Sequence, residues 1–203
     1  MLEKEYAAER ARILASVDAG KGDAGNPVFG EGRCDRPAIM FIGEAPGRDE
    51  AACGRPFVGK AGKQLDEMLK LAGIDRSEVF VTNTVKYRPI KLKNGRASNR
   101  TPRLPEIRAG LGLLLCEIET VKPRVIATLG GVPLSAVCEL SFGDPHAMAI
   151  GSAHGKPAEI AVAGERICLF PLYHPAACIY NRELKPVLEE DLIRLGEYCK
   201  TIE

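Results

Sequence analysis

The sequence predicts an α/β fold, a three-layer α/β/α arrangement around a mainly parallel, four-stranded central sheet. Four short apolar runs, residues 38–42, 79–82, 125–129 and 166–170, have the length of buried strands, and helix-periodic segments separate them. Alternating strands and helices imply right-handed crossovers and a parallel sheet covered on both faces. The least regular stretches, residues 43–62, 83–103, 130–131 and 173–177, each follow one of these strands. In a parallel sheet those carboxyl ends share one edge, where open α/β folds bind ligands.

Taken in order, residues 2–19 read as an amphipathic helix ending at Gly20, and residues 21–37 as a polar surface connection rich in Gly, Asp, Asn and Pro. The first strand, 38–42, runs into a long crossover loop with five glycines, two prolines and the acids Glu44, Asp49 and Glu50. The glycines let backbone approach a ligand. Three carboxylates, and no Lys followed by Ser or Thr, exclude a phosphate-cradling P-loop. Residues 63–72 place Leu65, Met68, Leu69 and Ala72 at helical spacing, with Gly73 as the stop. The second strand, 79–82, leads to Asn83 and a polar, basic loop over 90–104, and Pro105 opens the next helix. After the third strand, 125–129, Gly130-Gly131 precedes a helix over 132–140. Residues 141–157 form an excursion carrying two of the three histidines. A hairpin of 159–162 with 166–170 then leads to Tyr173-His174-Pro175-Ala176-Ala177, and a helix over 185–199 follows.

At 203 residues the chain suits one domain, spanning 1–203, that buries roughly 70% of its unfolded surface. With 28 Lys and Arg against 27 Asp and Glu, the net charge of +1 excludes a globally basic nucleic-acid coat, so any such contact is local. No apolar run reaches the length of a membrane span and the first twelve residues are charged, so a cytoplasmic protein, monomeric and without membrane contact, is expected. Seven cysteines without a Cys-x-x-Cys pair disfavour zinc or iron–sulfur sites and read as reduced thiols. Cys53, in the glycine-rich loop, is expected to be exposed.

Several residues stand where chemistry would be done. His174 ends a strand beside Pro175, and imidazole is the commonest proton or hydrogen-bond donor near neutral pH, although a lone His-Pro is also an ordinary turn. Asn83 either caps a turn or presents a donor and an acceptor to a base edge. Phe57, in a glycine-flanked loop, either covers a ligand or plugs the core. Residues 86–108 carry eight cations (Lys86, Arg88, Lys91, Lys93, Arg96, Arg100, Arg103 and Arg108) against Glu106, a net +7 beside the expected pocket. Charge runs are usually solvated faces, but this placement is the one a phosphate backbone would select.

The motifs Gly43-Glu44-Ala45-Pro46-Gly47, Gly54-Arg55-Pro56-Phe57-Val58-Gly59-Lys60-Ala61-Gly62, Thr82-Asn83-Thr84-Val85-Lys86-Tyr87-Arg88-Pro89, Leu129-Gly130 and Tyr173-His174-Pro175-Ala176-Ala177 resemble, in order and spacing, those of the family 4 uracil-DNA glycosylases. The resemblance covers residues 38 to about 195. It implies a uracil-DNA glycosylase-like fold and excision of uracil, or another deaminated base, from DNA by hydrolysis of the N-glycosidic bond. It implies that Phe57 stacks on a flipped-out uracil, Asn83 reads its N3 and O4 edge, and His174 hydrogen-bonds O2. Glu44 with Ala45, and Glu50, would line the sugar side, where a carboxylate can position water and stabilise a cationic sugar. Lys86, Arg88, Lys91, Lys93, Arg96 and Arg100 would grip the strand. Extrusion of the base and stabilisation of developing charge are what such chemistry requires.

One departure is large. The resemblance implies a [4Fe-4S] cluster held by an amino-terminal cysteine pair, a cysteine after Val-Lys and one in the following helix. Here no cysteine precedes Cys34, Tyr87 takes the third position and Ala109 the fourth, so four thiolates cannot be assembled and no cofactor is expected. The basic loop also lacks the histidine of related cross-linking glycosylases, so no covalent capture of the sugar is expected. Two other classes stay open at this point: a non-catalytic binder of nucleic acid or nucleotide, and a hydrolase of free nucleosides, which the long basic loop disfavours.

Overall fold

The computed structural model describes residues 2–18 and 26–202. Eight strands and eight α-helices follow in the order α1 (Leu2–Asp18), β1 (Glu31–Gly32), β2 (Ile39–Gly43), α2 (Arg48–Cys53), α3 (Lys60–Leu71), β3 (Val79–Asn83), β4 (Ile90–Lys93), β5 (Arg96–Asn99), α4 (Leu104–Val121), β6 (Val125–Leu129), α5 (Gly131–Phe142), α6 (Ile150–Ala153), β7 (Ala158–Val162), β8 (Glu165–Leu172), α7 (Ala177–Tyr180) and α8 (Leu184–Thr201).

The four expected strands β2, β3, β6 and β8 form the parallel centre of a sheet ordered β1-β3-β2-β6-β8-β7. The sheet has six strands rather than four, because short antiparallel strands β1 and β7 pair along its two margins. The central strands are apolar on both faces because both are covered. Phe41, Val81, Ala127 and Leu172 pack with Leu65 and Leu69 of α3 and Leu188, Leu192 and Leu195 of α8. Met40, Phe80, Ile126 and Leu169 pack with Leu114 and Ile118 of α4 and Leu134 and Val137 of α5. These two layers make the α/β/α sandwich.

Several loops carry more structure than the sequence suggests. The crossover after β2 contains α2, and residues 90–104 include a β4/β5 hairpin whose Asn94 and Gly95 both have positive φ (51° and 71°), as a two-residue primed turn requires. The excursion after α5 holds α6. Of the connection over 21–37, residues 21–25 lie outside the described residues, as do Ala19 and Gly20. The remainder divides: Val28 is fully buried and its N–H donates to the Lys86 carbonyl at 2.7 Å, whereas residues 31–36 are exposed, as a surface connection requires. Cys53 is exposed as expected. Among the described residues no helix is long and apolar enough to cross a membrane.

The chain leaves β2 toward β3 on one side, and β6 lies on the other, so the carboxyl end of β2 is the topological switch point. Gly43, Asn83, Leu129 and Leu172 end the four central strands along that edge.

Candidate active site

A cavity of about 440 Å³ opens at this edge, lined among others by Ala45, Glu50, Phe57, Asn83, Arg88 and His174. Asn83, one of the lining residues, is paired across the sheet with Gly43. A methyl group at Gly43 would overlap the Asn83 carboxamide oxygen and stand 2.7 Å from Phe57 Cζ. The bare backbone therefore lets the ring and the amide meet over one strand end. Phe57, only 8% exposed, belongs to the core packed on α3 and also lines the cavity. It does so with φ at 55°, a conformation unfavourable for an aromatic residue and the kind of strain that collects at functional sites.

His174 enters from the end of β8. Gly130, with φ at 101°, leaves room for it, since a methyl there would stand 3.3 Å from the His174 Cβ. The Ala176 N–H donates to His174 Nδ1 at 3.1 Å. Nδ1 is thus an acceptor, and the neutral imidazole carries its proton on Nε2. Burial lowers the His174 pKa to about 4, opposed by the nearby negative charge of Glu50. The ring is uncharged at neutral pH and offers a single N–H donor.

The carboxylates differ from the sequence expectation. Glu50 is buried and accepts the Gly47 N–H at 3.1 Å and the Gly59 N–H at 2.8 Å. It staples the two ends of the glycine-rich crossover while lining the cavity. Glu44 is not among the cavity-lining residues: its carboxyl accepts a hydrogen bond from Thr101, and burial raises its pKa. Asp49, which sequence reasoning left unassigned, does line the cavity, and a methyl at Gly59 would lie within 3.3 Å of both the Glu50 and Asp49 carboxylates. Lys60, Asn99 and the 90% exposed Tyr180 are further lining residues without a clear sequence signal.

The basic run divides. Lys86 does not face solvent: it is 1% exposed, and its Nζ lies 2.6 Å from Glu117 Oε2. Lys86 follows Val85 into a buried turn where an unpaired ammonium would be costly, so it pairs inward. Arg100 is also drawn inward, donating to both oxygens of Glu106 at 2.6 and 2.8 Å and to the Ile90 carbonyl at 3.0 Å. Arg108 pairs with Glu139. Lys91, Lys93 and Arg96 remain exposed on the hairpin, and Arg88, held by Asn99 at 2.7 Å, stands at the cavity mouth.

The side chains at the expected cluster positions do not fit an iron–sulfur group. Tyr87 donates its hydroxyl to Glu106 Oε1 at 2.9 Å, and Glu106 also accepts the Arg103 N–H at 2.7 Å. With Arg100, this ties the hairpin to the start of α4, and the hydrogen bond and charge of Arg100 pull the Glu106 pKa down to about 2. Ala109 offers a methyl group. Among the described residues no three His, Cys, Asp or Glu side chains gather with metal-holding geometry.

The site gives His174 a pH signature. An unfolded imidazole titrates near 6.5 and the folded one near 4. As pH falls through this window the unfolded state takes up the proton first, so His174 withdraws stability between pH 6.5 and 4. Nitrogen NMR at pH 5.5 is expected to show a neutral His174 ring protonated on Nε2; an imidazolium titrating near 6.5 would contradict this geometry.

Comparison with known proteins matches residues 29–194 to the family model described as Uracil DNA glycosylase superfamily. The type-4 uracil-DNA glycosylase of Saccharolobus solfataricus is 40% identical over 85% of this chain and 76% of its own length. That of Sulfurisphaera tokodaii is 40% identical over 87% of this chain and 76% of its own, and that of Archaeoglobus fulgidus 37% over 86% and 82%. With a cavity at the switch point of an α/β/α sandwich and relatives of this similarity along most of its length, the chain belongs to the uracil DNA glycosylase superfamily.

Proposed function

We propose that this protein is a DNA glycosylase that removes uracil from DNA by hydrolysing the N-glycosidic bond, the opening step of base-excision repair. The observation that carries this reading is the convergence of Phe57, Asn83 and the neutral, Nε2-protonated His174 on one cavity. A flipped-out pyrimidine would stack on Phe57. The Asn83 carboxamide would pair with N3–H and O4. Hypoxanthine and xanthine present the same donor and acceptor order at N1 and O6, so other deaminated bases fit the edge, whereas cytosine needs the amide turned over.

In the reaction the C1′–N1 bond breaks and its electron pair stays with the base, so negative charge grows on uracil O2. The His174 Nε2–H would donate to that oxygen, and a donor already fixed in place needs no reorganisation as the charge develops. The sugar becomes electron-poor as the base leaves. Glu50 supplies negative charge there while held by two backbone amides, and Asp49 beside it holds the water that adds to C1′ and takes up its proton. Glu44, turned to Thr101, supports the crossover instead. Lys91, Lys93, Arg96 and Arg88 meet phosphates. The pocket is complete within one chain, consistent with a monomer, and we place the protein in the cytoplasm without a metal cluster.

Wild-type protein is expected to release uracil from an oligonucleotide, read as alkali-sensitive strand breaks. His174→Ala and Asn83→Ala are each expected to slow release about 10²- to 10³-fold, the scale for losing one preorganised donor. Salt-sensitive DNA binding without base release would instead mark a non-catalytic binder. Protein purified anaerobically is expected to contain no iron or acid-labile sulfide; stoichiometric amounts of both would overturn the cluster-free assignment.

A further inference from the structure

Among the described residues a fully buried ion pair, Lys86 with Glu117, adjoins the backbone of Asn83. Lys86 Nζ donates to Thr82 Oγ1 at 2.7 Å, to Glu117 Oε2 at 2.6 Å and to the Asn83 carbonyl at 2.6 Å. Thr82 donates in turn to Glu117 at 2.9 Å, and Tyr6 of α1 donates to Glu117 Oε1 at 2.9 Å. Every donor of the ammonium has an acceptor, and the carboxylate accepts from three side chains, Lys86, Thr82 and Tyr6. Both partners of the ion pair have side chains at 0% exposure.

Such a pair is a poor stabiliser, since desolvation of both charges offsets their attraction and apolar replacements are often neutral. Its value lies in direction. Past Asn83 the chain leaves the sheet through a turn in which Thr84, Val85 and Lys86 are all buried, so backbone groups there need partners inside the protein. The Thr84 and Val85 N–H groups are fixed on the carbonyls of Gly43 and Glu44 at 2.8 and 3.1 Å. The Asn83 carbonyl falls to Lys86. This bond sets the peptide plane on which the Asn83 side chain is mounted, and the Lys86 carbonyl, accepting from Val28, anchors the far end of the turn.

We propose that Lys86, charge-balanced by Glu117 and locked by Thr82 and Tyr6, is a positioning residue that fixes the orientation of Asn83 and hence base reading in the cavity, rather than a contact to DNA. The inference rests on Asn83 reading the base. Its second consequence is that α1 takes part in the active site, through Tyr6, from the opposite side of the buried pair.

The test is a mutant cycle on single-turnover uracil release by the full chain. The isosteric, charge-neutral double variant Lys86→Met/Glu117→Gln is expected to slow release about 10- to 100-fold, the scale for small misplacement of a reacting group. Its affinity for abasic-site DNA should stay within about twofold, since no phosphate contact is lost. In an Asn83→Ala background the same pair of changes should slow release no further, because the group it positions is gone. Losses that multiply across the two backgrounds, or weakened abasic-site binding, would overturn the positioning role. Thr82→Val removes only the hydroxyl that bridges Lys86 and Glu117, keeps strand propensity, and supports the same cycle if the double variant fails to fold. If Asn83→Ala alone releases uracil at the wild-type rate, the base-edge reading fails, and this inference with it.

Discussion

The site depends on a close approach at the end of β2. At Gly43 the strand carries no side chain, and the Phe57 ring and Asn83 amide occupy the volume that a Cβ would take. The crossover that delivers Phe57 must double back over the strand, and Glu50 holds its two ends by accepting the amides of Gly47 and Gly59. Asn83 arrives in register because β2 and β3 pair in parallel from Ile39 with Val79 to Gly43 with Asn83. His174 reaches the same cavity from the end of β8, two strands away, through room left at Gly130. The geometry of the cavity therefore follows from sheet register together with the crossover that carries Phe57.

Charge is spent unevenly across the basic segment. Of the cations between residues 86 and 108, Lys86, Arg100 and Arg108 are paired internally with Glu117, Glu106 and Glu139. They hold the turn, the hairpin base and the α4 surface. Those left exposed on the hairpin are separated from the cavity by a few residues of chain, with Arg88 and Asn99 joining the two regions. The Tyr87–Glu106–Arg100 linkage ties hairpin to helix with hydrogen bonds and one ion pair, and a sulfur ligand is not needed there for the segment to be anchored.

Much of this was legible in the residues. The four apolar runs were long enough and separated well enough to place the parallel strands, and once placed they put Gly43, Asn83 and His174 on one edge. What escaped was set by tertiary pairing. Lys86 looks like any other cation until the turn that carries it is known to be buried, and its partner Glu117 lies in an otherwise unremarkable helix. Glu44 and Glu50 are equivalent in the sequence, but helix α2 sends Glu50 to the cavity wall and the preceding bend leaves Glu44 with Thr101. The β4/β5 hairpin did have a local signal, the Asn94-Gly95 pair, masked by flanking strands with exposed polar side chains rather than an alternating apolar face. Edge strand β1, only two exposed residues long, was too short to stand out, whereas β7 was the expected first arm of the hairpin with β8.

Uracil excision as proposed requires a base held in one orientation by three side chains. A crystal structure of the protein with abasic-site DNA and free uracil tests it most directly. Uracil is expected to be stacked on Phe57, with its N3–O4 edge on the Asn83 carboxamide and O2 within hydrogen-bond distance of His174 Nε2. Uracil bound elsewhere, or bound here with O2 turned from His174, would contradict it.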